Sequence, residues 1–253
     1  MHYYDKEGNS CHEVVGKNGK IRPTTLRDAR QHNWVPSVTT IMDIQSKPAL
    51  ISWIQNQILE AAIASPFNDE WFKDGWKKYI IAKSREIGEK AAKRGIEIHD
   101  AMENFYTGEG VKEEYVQYIS NPTLLIASKF PEYIWFSEKS FAHMDGFGGR
   151  VDLWGADINN NCIIIDFKTK DKTDVKDMVQ YDDHSIQLAA YQIGLQLPES
   201  TRRFNLFISS NPNTPGLCRL VECTKFEKYK EIFYALLRLW QAKNSYKPEF
   251  NDE

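Results

Sequence analysis

The sequence predicts an α/β fold, with a mixed central sheet flanked by helices and a helical extension on its N-terminal side. Three observations predict it. Strand-like runs follow one another at about 133–142, 146–155 and 161–168. A helical segment at 181–195 separates these from two further strands near 203–209 and 217–223. Helical periodicity fills 48–64, 70–106 and 225–244. At 253 residues and 42% hydrophobic content, the chain is long enough for one well-cored domain spanning 1–253. Within it, 45–132 form a helical region, 133–223 a sheet with its helix, and 225–244 a closing helix.

Residues 1–36 are polar and contain Gly8, Gly16, Gly19 and Pro23, so they read as short strands and loops. Pro36–Met42 opens the ordered helical part, with Ser37 or Thr39 as the cap of a short helix. In 48–64, Leu50, Trp53, Ile54, Ile58 and Ala61 lie on one stripe. A turn is expected at Ser65–Asp69, then one long or broken helix that Thr107-Gly108-Glu109-Gly110 ends. Residues 112–132 read as two helices interrupted at Asn121-Pro122. The last helix carries Phe226, Tyr229, Ile232, Phe233, Leu236, Leu237 and Trp240 on its apolar side.

The chemistry concentrates in the three consecutive strands. Gly149-Arg150-Val151-Asp152 precedes Asp166-Phe167-Lys168, and the segment between, Gly155–Asn161, is rich in turn formers. Alternation puts Asp166 and Lys168 on one face, with Ile165 and Phe167 on the other. Asp152 alternates in the same way with Val151 and Leu153. A hairpin centred on Asn159 pairs residues whose numbers sum to 318, which sets Asp152 opposite Asp166. A slip of one residue would send them to opposite faces. Opposed carboxylates repel unless a cation sits between them, and hard oxygen ligands suit Mg2+ or Mn2+. Two acids and a lysine so arranged make a site for a divalent metal and a phosphodiester.

Other positions gain meaning beside this set. Gly95 and His99 are one helical turn apart, so the glycine leaves room beside the imidazole, which is either a metal ligand or an ordinary hydrogen-bonded histidine. Glu138, on the preceding strand, either reaches the metals or lies on the surface. Gln187 and Tyr191 share a helix face, where an amide and a phenol can hold a phosphate or orient a lysine. Lys170 and Lys172 either track a nucleic-acid backbone or form a solvated run. Trp71, Phe72, Trp76 and Tyr79 are aromatic surfaces of the helical part; most are expected in the core and one or two at a bound strand.

Formal net charge is −3, which excludes a global basic field, so a nucleic-acid partner would need a local patch and metal ions. Met1–Asp5 has neither the charge pattern nor the apolar core of a signal peptide. No apolar run approaches membrane-spanning length, so no membrane partner is expected. The four cysteines, Cys11, Cys162, Cys218 and Cys223, contain no CxxC. Reduced thiols are the expectation, with Cys162 in the core.

Taken in order, Gly95 and His99 on a helix, Glu138 on a strand, Gly149 and Asp152, Asp166-Phe167-Lys168-Thr169, and Gln187 with Tyr191 resemble the pattern of RecB-like nucleases of the PD-(D/E)xK superfamily. Pro36–Thr40 and Lys47–Trp53 are similar to the lead-in of the mitochondrial genome maintenance exonuclease and related phage exonucleases. The resemblance covers about residues 35–195. It implies a restriction-endonuclease-like core of order αβββαβ. It implies a Mg2+- or Mn2+-dependent exonuclease acting on DNA ends, with a preference for single strands, in replication, recombination or repair.

By the same resemblance, Asp152 and Asp166 bind the metal with His99 and the Phe167 carbonyl, and Glu138 holds a second ion. Lys168 orients or deprotonates a water, or neutralises the transition state. Gln187, Tyr191, Lys170, Arg150 and Ser37 are expected at the DNA. Some relatives tie an iron–sulfur cluster with one early and three late cysteines; with only Cys218 and Cys223 late, no cluster is expected. No helicase motif is present, so an unwinding, replication or recombination partner would be another chain. The implied setting is cytoplasmic, that of the host if the source is a phage. An endonuclease with the same site and a non-catalytic DNA-end-binding module are the alternatives. Asp166→Ala is expected to abolish cleavage with little loss of folding, and Lys168→Ala to cut rate more than DNA binding.

Overall fold

The computed structural model describes residues 1–68 and 72–250; the Asp69 and Trp71 expectations fall outside the described residues. The N-terminal part holds β1 (Tyr3–Tyr4), β2 (Glu13–Val15), β3 (Ile21–Pro23), α1 (Leu26–His32), β4 (Val35–Pro36) and α2 (Val38–Met42). The helical extension is α3 (Pro48–Ala64), α4 (Lys73–Thr107) and α5 (Glu113–Lys129). Then come β5 (Ile134–His143), β6 (Phe147–Ala156), β7 (Cys162–Lys170), α6 (Asp182–Gly194), β8 (Arg202–Ser209), β9 (Cys218–Glu222) and α7 (Phe226–Asn244).

The five strands β5 to β9 form one sheet in sequential order, antiparallel except for the parallel β7–β8 pair. The parallel pair is the one joined through a helix, α6, as a parallel crossover requires. The sheet is therefore mixed, and from α5 onward the order includes αβββαβ. A core lies on each face. Ile164, Phe147 and Val151 pack with α2, α6 and α7. Ile163, Ile165, Phe167, Leu206 and Ile208 pack with α4 and α5. On α7, Tyr229, Phe233, Leu237 and Trp240 are the buried members of the expected stripe.

Four expectations need correction. Leu26–His32 is a helix rather than loop; the Asp28 carboxylate accepts hydrogen bonds from the Thr25 amide and hydroxyl, fixing its first turn. With only two apolar positions, Leu26 and Ala29, it shows too little periodicity to stand out. The helix α5 runs unbroken through Pro122. Proline withholds the N–H that would bond the Tyr118 carbonyl, but Tyr118, Ile119, Pro122, Thr123 and Ile126 are all buried, and this packing carries the helix across. On α3 the apolar stripe faces α4, yet Leu50, Trp53 and Ile54 stay exposed, because a two-helix contact covers only part of it. Phe72 and Tyr79 are exposed rather than core, and Trp76 is half-buried with its indole donating to the Ser65 carbonyl at 2.8 Å.

Candidate active site

The β6–β7 hairpin has the register read from the sequence over four pairs, from Ala156 with Cys162 to Leu153 with Ile165. It stops one pair short of Asp152 and Asp166. There Asp152 Oδ2 accepts the Phe167 amide hydrogen bond over 2.6 Å, so a side chain takes the place of the ladder carbonyl. The expected alternation about Asp152 also fails: Val151 packs in the core beside α6, and Leu153 in the core beside α4. On the facing strand Glu138 has φ 56°, left-handed backbone that a non-glycine residue adopts at a cost of about 1–3 kcal/mol. Its neighbours Ser137 and Lys139 keep register with Leu153 and Val151. The two strands thus change face together, and the distortion brings Glu138 beside Asp152.

Asp166 is 1% exposed. Burial, and then Asp152, push its carboxyl pKa up, against the pull of the Lys168 ammonium. Lys168 Nζ stands 2.7 Å from Asp166 Oδ2 and donates to Gln187 Oε1 at 2.9 Å. Gln187 Nε2 in turn donates to the Tyr191 hydroxyl at 2.7 Å. Of the two roles open to Gln187 and Tyr191, orienting the lysine is therefore the one displayed; both are buried behind it on α6. Burial works against the Lys168 charge, but Asp166 and Asp152 outweigh it and hold its pKa above the ordinary lysine value.

From the opposite side of the sheet, His99 Nε2 donates to the Phe167 carbonyl at 2.9 Å and lies 3.9 Å from Asp152 Oδ2. The glycine one turn earlier makes room for the sheet rather than for the imidazole: a Cβ on Gly95 would meet Thr169 Oγ1 at 2.7 Å. Glu138 is pushed up to about 7 by burial; Arg150 opposes the shift, and Asp152 and Glu103 add to it. Arg150 Nε sits against Glu138 Oε2 as an ion pair without hydrogen-bond alignment, leaving that buried oxygen with no directed donor.

Among the described residues, no three His, Cys, Asp or Glu side chains form a ready-made metal cage. The set is mixed instead: two aspartates, an imidazole, a backbone carbonyl and a glutamate. Its carboxylate and carbonyl oxygens are donors of the hard type. His99 Nε2 is engaged as a donor to the Phe167 carbonyl, so it would turn a lone pair to a cation only as the Nδ1–H tautomer. The Glu138 oxygen already has the Arg150 guanidinium as its positive partner, though without a directed hydrogen bond.

The remaining predicted residues sit around this centre. Ser37 caps α2, accepting the Thr40 amide at 3.0 Å, and is 4% exposed. With Arg150, Asp152, Tyr191 and the N-terminal His2, Tyr4 and His12, it lines a half-open cavity of about 230 Å3. The N-terminal wall has no signal in the sequence, since β1 reaches the site through long-range contacts, pairing with β4 and packing on β6. Lys170 Nζ lies 5.4 Å from the centre of the Tyr181 ring. The thiols of Cys218 and Cys223 pack against different cores. No helix among the described residues is long and apolar enough to cross a membrane.

No protein-family model matches the chain, and no match is found among curated proteins. Among solved structures it is similar to a candidate exonuclease of Eubacterium rectale, at 14% identity over 90% of this chain and 90% of that one, with a TM-score of 0.33. It is also similar to an alkaline exonuclease of Laribacter hongkongensis, at 12% identity over 78% of this chain and 95% of that one, with a TM-score of 0.35. Likenesses this distant leave the functional conclusion to rest on the geometry above.

Proposed function

We propose that the protein is a Mg2+- or Mn2+-dependent deoxyribonuclease that degrades DNA from ends, with a preference for single strands. The observation that carries this reading is the Asp152, Asp166 and Lys168 constellation at the point where β6 and β7 part, with Lys168 locked by Gln187 and Tyr191. A binding module has no need of a buried acid–lysine pair braced in this way. Asp152, Asp166, His99 and the Phe167 carbonyl would hold the cation, and Glu138 a second one. The ion would screen phosphate charge and make a water more acidic. Lys168 would orient or deprotonate that water, or neutralise charge developing on the phosphoryl group. Arg150 and Ser37 would contact substrate phosphate, and Lys170 the strand beyond. The cavity walled by the N-terminal segment suits a strand end better than a continuous duplex.

End-labelled single-stranded, double-stranded and circular DNA, with Mg2+, Mn2+ or EDTA, tests this. Loss of linear strands only with metal, and with circles intact, is the expected result. Cut circles would mean an endonuclease, and binding without cleavage in any metal a non-catalytic module.

Glu138 adds a pH signature. Its folded pKa of about 7 lies above the ordinary value of 4.5, so between these the folded state keeps a proton the unfolded state has released. Stability from this group is complete below pH 4.5 and is lost as pH rises through 7. A bound cation favours the ionised form, so protection by metal should grow across the same window. Thermal unfolding with and without Mn2+ should show Tm protection rising by on the order of a few °C from pH 5.5 to 8. Glu138→Gln should flatten that rise, and an unchanged rise would remove Glu138 from the metal site.

A further inference from the structure

Asp166 has a neighbour that no motif announces. In the parallel β7–β8 pair, Asn205 is the register partner of Asp166, and it is 0% exposed. Asn205 Nδ2 donates to Asp166 Oδ2 at 2.9 Å, the oxygen that Lys168 Nζ also approaches. Among the described residues no donor is recorded on Asp166 Oδ1.

The orientation of this amide follows from chemistry. An ionised carboxylate only accepts, so Asn205 must turn its NH2 toward Asp166 and its oxygen away. That oxygen needs a donor, and Gln180 Nε2 supplies it at 3.0 Å. The same Gln180 nitrogen donates to Ser185 Oγ at 3.0 Å, and Ser185 is buried on α6. Each amide has only one arrangement that satisfies the chain. The line from Asp166 through Asn205 and Gln180 to α6 therefore fixes the carboxylate from behind, while Lys168 holds it from the side. An aspartate χ2 is otherwise a broad torsion.

We propose that Asn205 is a positioning residue for the metal-binding carboxylate, holding Asp166 Oδ2 so that Oδ1 is the atom offered to the cation. This rests on the nuclease reading above. Partners that orient a ligand in this way typically contribute about 10- to 100-fold in metal affinity or activity. Asn205 then acts on metal binding and on turnover at limiting metal, and leaves the KM for DNA alone.

The test compares Mn2+ affinity, cleavage at several Mn2+ concentrations and Tm in the wild type, Asn205→Leu and Gln180→Leu. Asn205→Leu keeps volume and removes the donor; Gln180→Leu releases the far end of the chain from a less buried position. Expected are a loss in Mn2+ affinity of about 10- to 100-fold for Asn205→Leu and a smaller loss for Gln180→Leu. In both, kcat should recover at high Mn2+, with KM for DNA unchanged. Wild-type Mn2+ affinity in both variants overturns the proposal. So does lost activity that high Mn2+ does not restore, since that is the mark of a purely structural residue. If Asn205→Leu fails to fold, Gln180→Leu decides by the same criteria. A wild type that binds neither Mn2+ nor Mg2+ would instead overturn the nuclease reading, and this inference with it.

Discussion

Asp166→Asn is expected to lower kcat at least about a thousandfold, equivalent to about 4 kcal/mol of transition-state stabilisation, while the protein stays folded. The amide keeps the volume of the carboxylate, and its oxygen can still accept from Lys168 or Asn205. It loses the charge on which both metal binding and the Lys168 pairing depend. Asparagine is a cleaner probe than alanine. Asp166 is 1% exposed and pairs with Lys168 at 2.7 Å, so Asp166→Ala strands an ammonium beside a new cavity. Removing one partner of a buried pair typically destabilises by about 3–5 kcal/mol. The sequence-level expectation that alanine would scarcely affect folding overlooked this burial. Single-turnover cleavage, Mn2+ binding and Tm, measured together on both variants, separate the two losses. Cleavage by Asp166→Asn at the wild-type rate would sink the assignment.

What could be read beforehand was what depends on local pattern. The strands at 133–168 are legible because Ile163-Ile164-Ile165 and the turn formers at Gly155–Asn161 frame them. The same pattern fixed the register as far as Leu153 with Ile165. The next step, the parting of the strands at Asp152 and the left-handed Glu138, was not visible. Nothing in Ser137-Glu138-Lys139 marks a residue that will take φ 56°; that conformation lies opposite the stretch of β6 where Val151 and Leu153 enter different cores.

Sequence distance hid the rest. Asn205 meets Asp166 across 39 residues, through a parallel pairing that depends on where α6 packs. A signal for it did exist: Phe204-Asn205-Leu206-Phe207-Ile208 is a buried strand with one amide inside it, and a buried amide must have partners. His2, Tyr4 and His12 give no comparable signal, because they are gathered around a two-residue strand, Tyr3–Tyr4, that has no periodicity to read. Gln187 and Tyr191 are legible as a pair, but only the structure brings Lys168 onto Gln187.

Lys168→Met should have two effects of opposite sign. Turnover should fall by about 100- to 10,000-fold, the range for losing a positioned acid–base or charge-stabilising group. Mn2+ affinity should rise. Lys168 Nζ shares the Asp166 carboxylate with the proposed cation, so the two positive charges compete for it. At an effective dielectric of about 20 and a separation of about 5 Å, that repulsion is roughly 7 kcal/mol for a doubly charged ion. Relief of even part of it would tighten binding tenfold or more, and Mn2+ should raise the Tm of the variant more than that of the wild type. Methionine keeps most of the side-chain volume, so Gln187 loses a hydrogen bond while it and Tyr191 keep their packing. Titration of Mn2+ against both proteins, followed by cleavage at saturating metal, checks both signs. Weaker Mn2+ binding together with slower cleavage would make Lys168 a brace for Asp166 rather than a participant in the reaction. Tighter binding with the rate still lost would leave the ammonium acting on the phosphoryl group itself, which its braced position between Asp166 and Gln187 already favours.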